Sequence, residues 1–314
     1  MNSGLFKRAG AKTMKPALTT IRILLVITIP ASFAVVLLEE SGILFYFANV
    51  ISPFMRLFGL SGEASLVFIS SVFLNIYAAV AVVKTLHLPE AEVIILATMC
   101  FIAHNFPVEC LVLKKTGSSL IEMICFRIIS AFAVGWILHF LISAPGQIPA
   151  ESVHAVKLGI DWNNLSSRLI VWAKETGVLA LRIFIMVFSI LFLQKVLDEA
   201  GIMKKLGILM LPFMRIMGLP ASCGYGWIVA QFVGLAYGAA VFIESTDSGE
   251  ITRNDADIFN HHISINHSQI EDTFLFVSIG VPYLWAVIPR FLYAILAVWC
   301  IRVGKYLFRK LTAA

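Results

Sequence analysis

Residues 254–272 read N-D-A-D-I-F-N-H-H-I-S-I-N-H-S-Q-I-E-D, a concentration of imidazole, amide and carboxylate groups unlike the rest of the chain. Residues four apart stack on one side of a helix, so His267 is placed with Glu271, Ser268 with Asp272 and His262 with Asn266. Three chemistries use such groups. Two histidines with carboxylates can ligate a divalent metal of the iron, manganese or zinc kind, although the spacing matches no closed metal motif. The same donors can hold a polar organic solute. His267 can also relay protons near neutrality, tuned by Glu271. The plainer reading, strongest for His261 and His262, is of satisfied interior or interfacial histidines. A second stretch, His104-Asn105-Phe106-Pro107-Val108-Glu109, offers a smaller set of the same groups, and Pro107, which lacks an N–H, predicts a broken helix there. The candidate binding set is therefore His104, Asn105, Glu109, His267, Ser268, Gln269, Glu271 and Asp272.

The elements that must position these groups are apolar. The 314 residues are 59% hydrophobic and 14% charged, with a mean hydropathy of +0.89; a soluble domain is nearer a quarter charged. Stretches long enough to cross about 30 Å of hydrocarbon run from Leu18 to Leu38, Ser118 to Leu141, Val178 to Leu197 and Ile279 to Ile301. Between them lie shorter or polar-interrupted segments. The net charge of +5 comes from basic residues at the termini and helix ends rather than from one patch with interleaved aromatics, which argues against a nucleic-acid partner. The five cysteines sit in or beside apolar segments without CxxC spacing and read as reduced, packed thiols. The basic start leads into an apolar run without an A-x-A site before Glu39, so it reads as an uncleaved first helix.

The chain repeats itself about 160 residues on. Pro53-Phe54-Met55-Arg56-Leu57-Phe58-Gly59-Leu60 returns as Pro212-Phe213-Met214-Arg215-Ile216-Met217-Gly218-Leu219, and Leu38-Glu39-Glu40-Ser41-Gly42 as Leu197-Asp198-Glu199-Ala200-Gly201. Arg22 falls opposite Arg182, His104 opposite His267, Glu109 opposite Asp272, Gly117 opposite Gly280 and Arg127 opposite Arg290. Apolar composition alone does not reproduce charged and glycine positions in order.

Each repeat reads as a helix, a short apolar pair, a polar-ended helix and a last helix. If the pair spans twice a repeat crosses five times; if it is a re-entrant hairpin about Arg56 to Gly62, three times. Both numbers are odd, so the repeats are expected to be inverted. Basic residues support this: Lys7, Arg8, Lys12 and Lys15 precede the first helix and Arg302, Lys305, Arg309 and Lys310 follow the last, whereas the linker carries Lys157 against Glu151 and Asp161. Lys114 and Lys115 in one repeat, and Lys204 and Lys205 in the other, have no basic counterparts; Arg168 and Lys174 run mildly against the scheme. The expected architecture is an all-α, polytopic helical membrane protein of two inverted-topology repeats with broken or re-entrant helices. Residues 1–16 form a basic cytoplasmic N-terminus, 17–143 the first repeat, 144–165 an external linker, 166–303 the second repeat and 304–314 a basic cytoplasmic C-terminus.

Arg127 and Arg290 fall within hydrocarbon depth and need partners, for which Glu109 and Asp272 are the first candidates and Glu122 a further one in the first repeat. Such pairs either pin helices or bind an anion. Arg56 and Arg215, beside glycines, mark hairpin tips or interfaces.

The two P-F-M-R-x-x-G-L elements and the stretch H-N-F-P-V-E-C-L-V-L-K-K-T-G, with its partner H-S-Q-I-E-D-T-F-L-F-V-S-I-G, resemble the nucleoside-recognition or "gate" domain family, as two gate units covering nearly the whole chain. Related units occur in bacterial spore maturation membrane proteins, in the membrane part of FeoB-type ferrous iron transporters and in concentrative nucleoside transporters. The resemblance implies a transport-like membrane core, and the charge pattern puts it in the cell inner membrane with both termini cytoplasmic. The resulting expectation is a transporter or permease for a small polar solute or cation, its site between the repeats, working in the lipid bilayer and compatible with a homo-oligomer. The alternative is a non-transporting scaffold or assembly factor of the spore maturation type. No G-x-x-x-x-G-K-[ST], nucleophile elbow or HExxH occurs, so neither a cofactor nor an enzyme is expected.

Overall fold

The computed structural model describes residues 3–86, 88–142 and 162–312; Glu151, Lys157 and Asp161 of the expected linker lie outside them. The described chain is helical, with no strand among its residues. The first half runs α1 (Ser3–Glu40), α2 (Ile43–Arg56), α3 (Ala64–Phe73), α4 (Ile76–Thr85), α5 (Glu90–Ile102), α6 (Phe106–Lys115) and α7 (Leu120–Ile142). The second repeats that order as α8 (Trp162–Glu199), α9 (Ile202–Ile216), α10 (Gly224–Val233), α11 (Leu235–Asp247), α12 (Arg253–Ile265), α13 (Glu271–Val277) and α14 (Tyr283–Thr312).

The duplication extends to the backbone. Left-handed φ values recur at Gly42 and Gly201, Gly59 and Gly218, Asn105 and Ser268, and Gly117 and Gly280. Asn105 and Ser268 are the only non-glycine residues of this kind among those described, a conformation uncommon without glycine. They sit where the halves need a break: between α5 and α6, and between α12 and α13.

Among the described residues four stretches are long and apolar enough to cross a membrane, Glu90–Lys115 across the α5–α6 break, Leu120–Ile142, Leu165–Leu197 and Tyr283–Leu311, with the bent pair Ile208–Ile216 and Ala221–Phe232 a fifth if it counts as one span. Three match the sequence expectation, and the fourth expected span, Leu18 to Leu38, lies inside α1, which packs along α8. α3 lies side by side with α4, and α10 with α11, so each short pair is a hairpin. The turns fall at Leu74–Asn75, where the Asn75 side chain caps α4 by accepting from the Ala78 N–H at 2.9 Å, and at Gly234 (φ 95°). α2 also packs along α3, so the turn between Arg56 and Gly62, one of the two alternatives read from sequence, is present as well, and the turn within the following apolar run is an addition to it. Arg56 ends α2 at this turn, and Arg215 lies in the last turn of the equivalent α9, which meets the following helix at 110°.

The halves exchange contacts reciprocally. α4 packs on α13 while α11 packs on α6, and α14 packs on α5 while α12 packs on α7. As a result the polar side of α12 and the two residues after it are enclosed by protein: Asn260, His261, His262 and Ser264, then Asn266 and His267, are all buried. This is how an apolar fold accommodates a polar helix, since lipid offers no hydrogen-bonding partner. Asn260 Nδ2 donates to Thr116 Oγ1 at 2.8 Å and Ser118 Oγ at 2.9 Å. Asp257 accepts from Ser118 Oγ at 2.7 Å and pairs with Lys305 Nζ at 3.0 Å.

Candidate functional site

Each break is built the same way. Pro107 cannot donate an N–H to an extended α5, and it sits in the first turn of α6, where none is needed. Asn105 turns left-handed, donates its backbone N–H to Ser71 O in the first hairpin at 2.9 Å, and accepts from the Glu109 N–H at 2.9 Å to start α6. Ser268, without a proline, donates to Ala230 O in the second hairpin at 2.9 Å and accepts from the Asp272 N–H at 3.3 Å.

A break strands carbonyls in a medium without water, and the buried arginines meet that need. Arg127 donates to Ile102 O at 2.8 Å and His104 O at 3.0 Å. Arg290 donates to His267 O at 3.2 Å, Gln269 Oε1 at 2.9 Å and Thr273 Oγ1 at 2.5 Å. Their guanidinium groups lie 4.7 Å from the Phe106 ring and 4.2 Å from the Phe101 ring, respectively.

The carboxylates then diverge. Glu109 Oε2 meets Arg127 at 2.7 Å, the pairing expected from sequence. The expected Asp272–Arg290 pair does not form, because the aspartate is one methylene shorter and Arg290 is engaged by Gln269 and Thr273. Asp272 instead directs Oδ2 at His104 Nε2, 3.6 Å away, with no hydrogen-bond partner for that atom. Glu122 does not reach Arg127 either; it is half exposed and faces His261 Nε2 at 3.3 Å.

The breaks bring the histidines together. His104 Nε2 and His267 Nε2 are 3.3 Å apart, and Glu109 Oε1 lies 3.1 Å from the first and 3.4 Å from the second. All four side chains of the cluster are at least nine-tenths buried. His104, Glu109, His267 and Asp272 thus converge from both halves. Asn105 and Ser268 shape the breaks, and Gln269 supports Arg290. Glu271 stands apart: the break at Asn266–Ile270 destroys the helical register that put it beside His267, and it accepts from Tyr77 Oη at 2.5 Å. Tyr77 and Thr273 were missed by sequence reasoning; Thr273 could have been found as the counterpart of Cys110, since the Arg127 guanidinium also reaches Cys110 Sγ, at 3.8 Å. An apolar cavity of about 500 Å³ opens beside Phe106 and Pro107, lined also by Phe68 and Phe132, and contains none of these polar side chains.

Comparison with known proteins agrees with this picture. Residues 21–133 match the family described as Gate, nucleoside recognition. The uncharacterized membrane protein YvoD of Bacillus subtilis (strain 168) is 28% identical over 253 residues, 81% of this chain and 81% of that protein. Among solved structures, the nucleoside transporter CNTnw in an inward-facing substrate-bound state aligns with a TM-score of 0.62 at 15% identity, over 90% of this chain and 74% of CNTnw. A CNTnw variant in an outward-facing state aligns with a TM-score of 0.60 at 15% identity, over 95% of this chain and 77% of that one. The chain is thus a multi-pass helical membrane protein with the fold seen in CNTnw, and its residues 21–133 are similar to the nucleoside-recognition, or Gate, family.

Proposed function

We propose that the protein is a membrane transporter or permease for a small polar or ionic solute, with its site where the two broken helices meet. The observation that carries this is the convergence of His104, Glu109, His267 and Asp272, two from each half, at two backbone breaks inside an apolar fold. Ionisable groups at such depth are costly and are kept where a solute or ion path needs them, and discontinuous helices are the common device for building that path. The inverted arrangement of residues 17–143 and 166–303 supplies the two-sided access that alternating exposure requires. The likeness to CNTnw, caught in both inward- and outward-facing states, supports the same reading.

The test is solute-dependent stabilisation of the purified protein. Uridine, as a nucleoside probe, and a panel of divalent cations are screened for a rise in Tm. A rise with one class, abolished in folded His267→Ala and Asp272→Ala variants, is the expected result. A rise that survives both substitutions places the solute elsewhere.

A further inference from the structure

We propose that His104 Nε2, His267 Nε2 and Glu109 Oε1 form a binding site for a divalent first-row transition metal ion such as zinc, iron(II) or manganese, with the Asp272 carboxylate beside it. This names a solute class for the site described above and depends on the transport reading only in taking the ion as cargo; the binding itself stands apart.

His104 Nδ1 lies 2.9 Å from Cys100 O, and His267 Nδ1 lies 2.6 Å from Ile263 O, each the carbonyl four residues back. A carbonyl has no proton to give, so both Nδ1 atoms carry the hydrogen and donate it. In the neutral rings both Nε2 atoms are therefore bare lone pairs, and they face each other at 3.3 Å. Glu109 Oε1 completes the triangle as a further acceptor. Asp272 Oδ2 adds a buried oxygen with no hydrogen-bond partner. Three acceptors turned toward one another, with no donor among them and a further carboxylate oxygen on the His104 side, need a cation between them.

The spacing favours a metal ion. Donors around a tetrahedral ion with bonds of about 2.0–2.1 Å lie roughly 3.3–3.4 Å apart. The three edges here are 3.1, 3.3 and 3.4 Å; Asp272 Oδ2, 3.6 Å from His104 Nε2, stands outside the triangle and adds negative charge beside it. Two imidazoles and carboxylate oxygen suit zinc, iron or manganese better than the alkali or alkaline-earth ions, which take oxygen alone. The surroundings also have the form that holds metal ligands in place. Each histidine gives its other N–H to a backbone carbonyl, and Arg127 fixes the second oxygen of Glu109 at 2.7 Å. Both histidines are delivered by helix breaks, so hinge-like movement at Asn105 and Ser268 would open or close the site.

The experiment uses the full-length protein, purified in detergent and stripped with a chelator, then titrated with Co2+. The expected result is a visible absorption band characteristic of tetrahedral Co2+, saturating at about one ion per chain and displaced by Zn2+. Asp272→Asn should weaken binding roughly 10-fold or more, and His267→Gln or His104→Gln should abolish the band. X-ray absorption of the zinc-loaded wild-type protein, which needs no variant to fold, should show imidazole and oxygen neighbours without sulfur. A sulfur shell, from the exposed Cys125 or Cys300, would overturn the assignment. So would the absence of both the Co2+ band and a zinc-dependent rise in Tm, which would leave a proton between the imidazoles. The two readings fail separately: metal binding without flux into proteoliposomes removes the transport reading alone, and flux of uridine without metal binding removes this one alone.

Discussion

His104 and His267 face each other Nε2 to Nε2 at 3.3 Å although 163 residues separate them in the chain. Both follow the end of a thirteen-residue helix, α5 or α12, and both precede a left-handed residue, Asn105 or Ser268. The approach of the two rings is therefore produced by the duplicated break rather than by either histidine's local sequence. Whatever alters one break should move the site.

Arg127 is the first place to test this. It is fully buried, ends two carbonyls of the first break and neutralises Glu109. Arg127→Met leaves a buried carboxylate and two carbonyls unpaired, and should cost about 3–5 kcal/mol. Adding Glu109→Gln should recover part of that loss, because the orphaned charge is then gone. Thermal unfolding in detergent reads both; a double variant no more stable than the single would show that the ion pair is not the cause.

The left-handed residues give opposite signs for two substitutions. Asn105→Gly should be neutral or mildly stabilising, because glycine adopts φ near +50° at no steric cost. Asn105→Val should cost about 1–3 kcal/mol, since a β-branched side chain clashes there. Equal tolerance of both, measured as Tm, would mean that the break relaxes out of this conformation.

Tyr77 and Glu271 connect the tip of the first hairpin to the start of α13 in the other half. In a double-mutant cycle, Tyr77→Phe and Glu271→Gln should show a coupling of about 1 kcal/mol, the double losing little more than either single. Additive losses would mean that this bond does not join the halves.

Orientation follows from charge. Lys305 and Ser118 both contact Asp257, which puts the C-terminal end of α14 beside the turn after Lys115. Reporters fused after Lys115 and after Lys310 should both be cytoplasmic, and one near Pro149 external, by the positive-inside rule. A cytoplasmic reporter at Pro149 would remove the inverted arrangement.

Much of this was legible in the sequence because duplication copies chemistry as well as hydropathy. The pairing of His104 with His267, and of Glu109 with Asp272, could be read from register alone, and so could the break at Pro107. The second break could not be read in the same way: no proline marks it, and the unbroken helical spacing assumed there put Glu271 beside His267. The failed Asp272–Arg290 pair has a similar origin, since the symmetry of positions hides a difference of one methylene. The hairpin turn at Leu74–Asn75 lay inside an apolar run whose composition carries no sign of direction. The reciprocal packing of α4 on α13 and α11 on α6 brings together residues too far apart in the chain for periodicity to report.

Passage of solute through the shared site is read out most directly by flux into proteoliposomes. Purified protein is reconstituted and uptake is followed for Zn2+, with an enclosed fluorescent indicator, and for radiolabelled uridine. Saturable uptake of at least one of them by the wild-type protein is expected, reduced to the level of empty liposomes by Glu109→Gln and by His267→Ala in protein that remains folded. Saturable uptake that persists unchanged in both variants, or none of either solute by folded wild-type protein, would contradict passage through this site.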